Sequence, residues 1–239
     1  MTTLMEPPTK AGPSAGGYAD LPRLLSLMTG DEKHSSAAHS TLDVLWVLYD
    51  QVLRVSPATI TDPARDRFLL SKGHGPMAYY AVLAAKGFFA PETLSTFGDF
   101  ASPLGYHPDR NLIPGVEISS GSLGHGLPLA IGVTLALDYR AQTGGRVFVL
   151  VGDAELDEGT NHEAIAFAGR AGLERLTVVV IDNQSASLGW PGGIASRFTV
   201  EGWSTTVCDG HDHHDIERAL TVPHAGRPHA VVARVEAEE

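Results

Sequence analysis

Two side chains thirty positions apart, Asp153 and Asn183, have types and spacing that suit cation chemistry. Asp153 directly follows the apolar run "RVFVLVG", and Asn183 directly follows "RLTVVVID". Each run is short, β-branched and bounded by turn residues, as a fully buried parallel strand is. Between them lies "EGTNHEAIAFAGRAG", which reads as a helix. If the two strands are neighbours, a carboxylate and an amide oxygen share one crevice. Together with backbone carbonyls they make a hard oxygen-donor set, which suits magnesium completed by phosphate oxygens and water. The start of the helix after Asp153 offers free N–H groups to the same phosphates. The expectation is a magnesium-bound diphosphate. Against it stands a plainer reading: Gly-Asp and Asp-Asn after strands are common as turn and capping chemistry. The pair at this separation, with a strand, helix and strand between, argues for the site.

The elements needed to position such a site are spread along the chain. "STLDVLWVLYDQVL" opens with Ser40 and has Asp43 three positions on, which predicts a capped helix start. "GPMAYYAVLAAKG" has Pro76 near a first turn and Gly87 after the end, the asymmetry of a helix. "GLPLAIGVTLALDYRAQTGG" predicts a long helix, apolar enough to be buried on several sides. "HAVVARV" predicts a last strand. This alternation predicts an α/β fold: a mostly parallel sheet with helices on both faces. In such sheets ligands bind beyond the carboxyl ends of the strands. Residues 1–18, rich in Pro, Gly, Ala and Thr, predict a flexible tail, and 19–239 one domain.

Composition excludes several classes. A net charge of −11 argues against a nucleic-acid surface, which needs clustered Lys and Arg. One cysteine, Cys208, permits neither an intrachain disulfide nor a Cys-based metal site. There is no secretory-type N-terminus and no apolar run of about 18 residues, so a cytoplasmic protein away from membranes is expected. The histidine-rich "HDHHD" (His211, His213, His214) invites a metal reading, but a turn with Asp212 capping a helix accounts for it better.

Four segments in register resemble the transketolase family. "GDAELDEGTNHEAIAFAGRAGLERLTVVVIDNQ" is similar to its thiamine-diphosphate motif, Gly-Asp-Gly, about thirty residues, then Asn. "DRFLLSKGHGPMAYYAVLAAKGFF" is similar to a segment with a Ser-x-Gly-His strand end. "LGYHPDRNLIPGVEISSGSLGHGLPLAIGVTLAL" is similar to the Gly-His-Pro…Pro-Gly-Val-Glu…Gly-Ser-Leu-Gly-Gln-Gly segment. "DGHDHHDIERAL" is similar to an Asp-Gly-His-Asp turn and helix.

The resemblance implies cofactors and roles. The cofactors are thiamine diphosphate and Mg²⁺. Asp153 and Asn183 match metal ligands, with Ser185 supplying a backbone carbonyl. Gly152 and Ala154 match the loop facing the diphosphate. Gly121 and Leu123 match the support of the aminopyrimidine ring. His74 matches a histidine beside diphosphate and substrate, His107 one that contacts the donor's first hydroxyl, and His34 a substrate-channel histidine. Glu158 matches an acid that couples two cofactor sites across a dimer. The activity implied is transfer of a two-carbon ketol unit from a ketose donor, with the cofactor as electron sink and histidines serving proton steps.

The match covers only the family's first domain, so the resemblance implies one subunit of a split enzyme. A separate pyrimidine-binding chain would complete it in a two-plus-two assembly. Departures are local. Ala154 replaces the motif's second Gly, which matters if that position has φ > 0 or lies close to the diphosphate. His125 replaces a Gln, and "HSSAAHS" replaces His-Pro-Gly-Gly-Ser. The loop after Asn183 is shorter than the family's. The Gly-Lys-Gly segment and closing His that follow the last strand in the family have no counterpart. Two rivals remain: a pyruvate-dehydrogenase-like component that passes an acyl unit to a lipoyl or carrier-protein acceptor, and a non-catalytic scaffold subunit.

Overall fold

In the computed structural model, residues 16–29, 35–73, 75–140 and 144–235 are described. Five strands form one all-parallel sheet: β1 (Arg67–Leu70), β2 (Val147–Gly152), β3 (Leu176–Asp182), β4 (Ser204–Asp209) and β5 (His229–Arg234). Their order is β1-β2-β3-β5-β4. The strands expected to neighbour each other do so: Gly152 lies opposite Ile181.

Successive strand residues feed two separate cores, because side chains alternate across a sheet. Phe68, Leu70, Phe148, Leu150, Val179, Ile181 and Val231 pack on one face with α1 (Leu21–Leu25), α2 (Ser35–Val47), α3 (Met77–Ala85) and α7 (His213–Leu220). Leu69, Val147, Val149, Val151, Val178, Val180 and Val232 pack on the other with α4 (Gly126–Tyr139), α5 (Gly159–Ala171) and α6 (Ile194–Thr199). Burial on both faces explains why β2 and β3 read as continuous apolar runs.

Three local expectations need correction. The helix expected to open at Ser40 begins at Ser35, so Ser40 sits inside α2 rather than at its cap. Ser-Ser-Ala-Ala holds no helix breaker, so the helix extends upstream of the polar signal. Among the described residues helix α4 is covered on one side only, with Leu129, Leu135 and Tyr139 exposed. Tyr18, placed in the tail by composition, lies in a 3₁₀ turn (Tyr18–Asp20) and donates its hydroxyl to Asp43 at 2.5 Å. Pro76 does precede α3, and Gly87 adopts φ 76° just past its end.

Candidate functional site

The site is built where β1, β2 and β3 end. Parallel pairing puts Leu70 level with Leu150, and the Asp153 N–H donates to the Ile181 carbonyl. Ser71, Asp153 and Asn183 therefore leave the sheet at about the same height.

Asp153 is 2% exposed. One carboxylate oxygen accepts from Ala154 N (2.8 Å) and Ser185 Oγ (2.5 Å), the other from Ser185 N (2.7 Å) and Ala186 N (3.1 Å). Four donors match the roughly four acceptor directions of a carboxylate. Asp153 thus clasps the loop after β3. Asp157 holds the next stretch, accepting from Leu188 N (3.2 Å) and, more loosely, Ser187 Oγ (3.4 Å). Within this loop Gln184 takes φ 58°, among the described residues the one non-glycine in the left-handed region. The Asn183 Oδ1 is buried and has no hydrogen-bond partner. An orphaned buried acceptor is costly, and a cation beside Asp153 would satisfy it. The residues present therefore fit a magnesium ion.

The sequence reading assigned no role to Glu155, which proves to be the hub of the site. It is 1% exposed. Its carboxylate accepts from Gly124 N (2.9 Å), Gly152 N (3.3 Å) and the Ser71 hydroxyl, and its carbonyl from Asn161 Nδ2 (2.7 Å). The Ser71 hydroxyl in turn accepts from Gly126 N (3.0 Å). Three segments, at Ser71, Gly124 and Gly152, are tied by one side chain, and the backbone of the same residue adds Asn161. Burial pushes the Glu155 carboxyl above the usual carboxylate range, against the pull of those hydrogen bonds. An acid held between Ala154 and Leu156 in a glycine-rich stretch was the available signal.

Lys72 lies across the same cradle. A Cβ on Gly152 would meet the Lys72 methylenes at 3.5–3.7 Å. Its ammonium donates to Ser40 Oγ at 3.2 Å. Burial lowers its pKa to about 8, against the opposing charges of Asp153 and Glu155.

Glycines let three loops close on one another. A Cβ on Gly73 would come within 2.7 Å of Gly121 N, and one on Gly121 (φ 134°) within 2.8 Å of the His107 ring. His107 is exposed and rests on this glycine wall. Leu123 is half-buried, and its carbonyl meets His125 Nδ1 at 3.0 Å. Glu158 is exposed at the start of α5, and a Cβ on Gly124 would meet it at 2.7 Å. Ala154 opens a 3₁₀ turn (Ala154–Asp157) with negative φ, so a methyl group there costs the backbone nothing. Asp153, Asn183, Ser185, Gly152 and Ala154 are brought together; Gly121, Leu123, Glu158 and His107 lie along the adjoining loops. His34 and His74 fall outside the described residues.

The histidine cluster is structural. Asp212 caps α7, accepting from His214 N (2.9 Å) and Asp215 N (3.1 Å). His211 Nδ1 and His213 Nε2 both meet Asp43, at 2.9 and 2.8 Å. Burial would raise the Asp43 carboxyl, but the bonds from Tyr18, His211 and His213 hold it below the ordinary range. Among the described residues no group of three His, Cys, Asp or Glu side chains could hold a metal ion. No described helix is long and apolar enough to cross a membrane.

This five-stranded parallel sheet, with an acid and an amide at neighbouring strand tips, has the fold of solved transketolases. The transketolase from Leishmania mexicana superposes with a TM-score of 0.71 at 24% identity, over 88% of this chain and 37% of that one. Residues 22–236 match the family described as "Transketolase, thiamine diphosphate binding domain", and the chain belongs to that family. Two curated relatives are similar over most of their length. One of the subunits of an apulose-4-phosphate transketolase, from Actinobacillus succinogenes, is 33% identical over 84% of this chain and 75% of its own. "Ferredoxin fas2" of Rhodococcoides fascians is 60% identical over 93% of this chain and 73% of its own. The ferredoxin name does not carry over to this chain. Ferredoxin clusters are held by four cysteine thiolates, and this chain has only Cys208, buried and with its thiol pushed by burial up to about 12.

Proposed function

We propose that this chain is the diphosphate-binding subunit of a two-component, thiamine-diphosphate-dependent transketolase that moves a two-carbon ketol unit from a ketose donor. The observation that carries this lies at the tips of the paired strands β2 and β3: a buried Asp153 on one, and on the other a buried Asn183 Oδ1 that lacks any partner. Asp153, Asn183 Oδ1 and the Ser185 carbonyl would hold Mg²⁺. The backbone at Gly152 and Ala154 would face the diphosphate, and Gly121 and Leu123 would support the ring system. Bound thiamine diphosphate supplies a carbon nucleophile and an electron sink for breaking the bond beside a ketose carbonyl.

The chain's own residues do the remaining work. The Asp153 clasp fixes the loop from Ser185 to Ala186, and Glu155 locks the β1, β2 and α4 ends together, so the donor set is preorganised. All four acceptor directions of Asp153 are taken here, so to hold a cation it would give up one present donor, most simply the Ser185 hydroxyl. His107 is exposed over the glycine wall, where it can take and return a proton on a sugar hydroxyl.

A pyrimidine-binding partner follows from what this chain leaves open. One side of α4 presents Leu129 (48% exposed), Gly132, Ala136 and Tyr139 (93%) at helical spacing, and α5 adds Phe167 (51%). A contiguous apolar stripe of this kind marks an interface. The Actinobacillus relative carries the name of one subunit of its transketolase, which supports the same division. The expected assembly is two copies of each chain, with the exposed Glu158 at the junction between cofactor sites.

Asp153→Ala tests the assignment. Calorimetric titration of the assembled enzyme should show Mg²⁺-dependent thiamine diphosphate binding weakened by about 100-fold or more, since the change removes the charged ligand. Unchanged affinity would remove the basis of the proposal.

A further inference from the structure

Lys72 has no place in the metal set, yet it occupies the centre of the cradle. Its methylenes lie over Gly152, where the missing side chain leaves them room. Its ammonium passes beyond that glycine toward α2, where Ser40 Oγ accepts from it at 3.2 Å. Asp153 and Glu155, both almost wholly buried, act on it from the tip of β2. Lys72 leaves β1 one residue after Ser71, the residue that Glu155 binds, so its backbone is fixed to the same hub.

A half-buried ammonium under the influence of two buried carboxylates is an unusual placement, since lysine is strongly hydrated and avoids burial. A turn or packing role would be met by an uncharged chain. Charge balance gives a reason for the cation. A diphosphate brings several negative charges to a pocket that already contains Asp153. One Mg²⁺ offsets only part of the total, and in a poorly hydrated site the remainder is costly. An ammonium on a flexible stem is a compact point charge suited to phosphate oxygens.

We propose that Lys72 is a diphosphate-binding residue: its ammonium, carried over Gly152 and steadied by Ser40, pairs with the phosphate oxygens that the Asp153 metal does not take. This rests on the diphosphate reading above. The negative charges of Asp153 and Glu155 favour the charged ammonium at this place, and Ser40 Oγ accepts from it, so the cation is already positioned beside Gly152.

The test uses the full chain and inorganic pyrophosphate with Mg²⁺, which probes only the end of the cofactor this chain holds. Isothermal titration of the wild type should show Mg²⁺-dependent pyrophosphate binding that weakens as salt is raised. Lys72→Met should weaken it at least tenfold and flatten the salt dependence, while Lys72→Arg stays within a few-fold of the wild type. Lys72→Gln covers the case in which Lys72→Met does not fold. If Met or Gln leaves affinity and salt dependence unchanged, while Asp153→Ala still abolishes binding, this inference is overturned and the site assignment stands. Wild-type chain that binds no pyrophosphate with Mg²⁺, or binding indifferent to Asp153→Ala, overturns the diphosphate reading itself.

Discussion

At the scale of single residues, Ala154 shows how a departure from a motif can be neutral. Glycine in that place suggests a backbone that an L side chain cannot follow. Here the residue opens a 3₁₀ turn with negative φ, and its N–H serves Asp153. Ala154→Gly therefore relieves no strain and adds freedom to the unfolded chain. It should cost about 0.5–1 kcal/mol and lower the melting temperature by a few degrees, with no gain in cofactor affinity from the backbone. A thermal melt and a titration of the variant check both. Tighter binding would mean that the alanine methyl itself crowds the diphosphate.

At the scale of elements, the entry of β1 and β2 is tied by one acid. Asp66 is completely buried and accepts from the backbone N–H of Arg54 (2.9 Å) and Arg146 (2.8 Å) as well as from both guanidinium groups. Burial alone would raise its pKa, but the bonds from Arg146 and Arg54 outweigh that and hold it down at about 2. A folded-state value below the unfolded one near 4 stabilises the fold above pH 4. That contribution is lost as pH falls through 4 toward 2. Asp66→Asn should therefore be less stable at pH 7, and the gap to the wild type should narrow by roughly 2 kcal/mol between pH 5 and pH 2. Denaturant unfolding of both proteins across that range measures it; a gap constant with pH would contradict the Asp66 account. The same scale explains β4. It is an edge strand with Val207 exposed, so "STTVCD" lacks the continuous apolar run that made β2 and β3 obvious.

At the scale of the whole molecule, the outer side of α4 and the neighbouring side of α5 are the unfinished surface. The sequence of α4 is apolar nearly all round, which predicted burial on several sides; the described residues cover only one. The chain alone should self-associate and transfer no ketol group. Mixed with its pyrimidine-binding partner it should give one species of two-plus-two mass by light scattering, and activity with a ketose donor. A well-behaved monomer that is active unaided would sink the two-component reading.

The sequence by itself determined the inner strands of the sheet and which side chains leave their tips. Buried parallel strands are written as unbroken β-branched runs, and parallel pairing places their tips side by side. Asp153 and Asn183 could therefore be placed together from position alone. So could the cap at Asp212, because capping is local to one turn. Only the tertiary structure decided the rest, since those contacts join segments far apart in the chain. Glu155 gains its role from Ser71 and Gly124. His211 and His213 gain theirs from Asp43, more than 160 positions away. Ser40 looked like a cap, yet it lies inside a helix and faces Lys72. A residue's type and neighbours announce what it can bind; folding decides which partner, among groups distant in sequence, comes within hydrogen-bond reach.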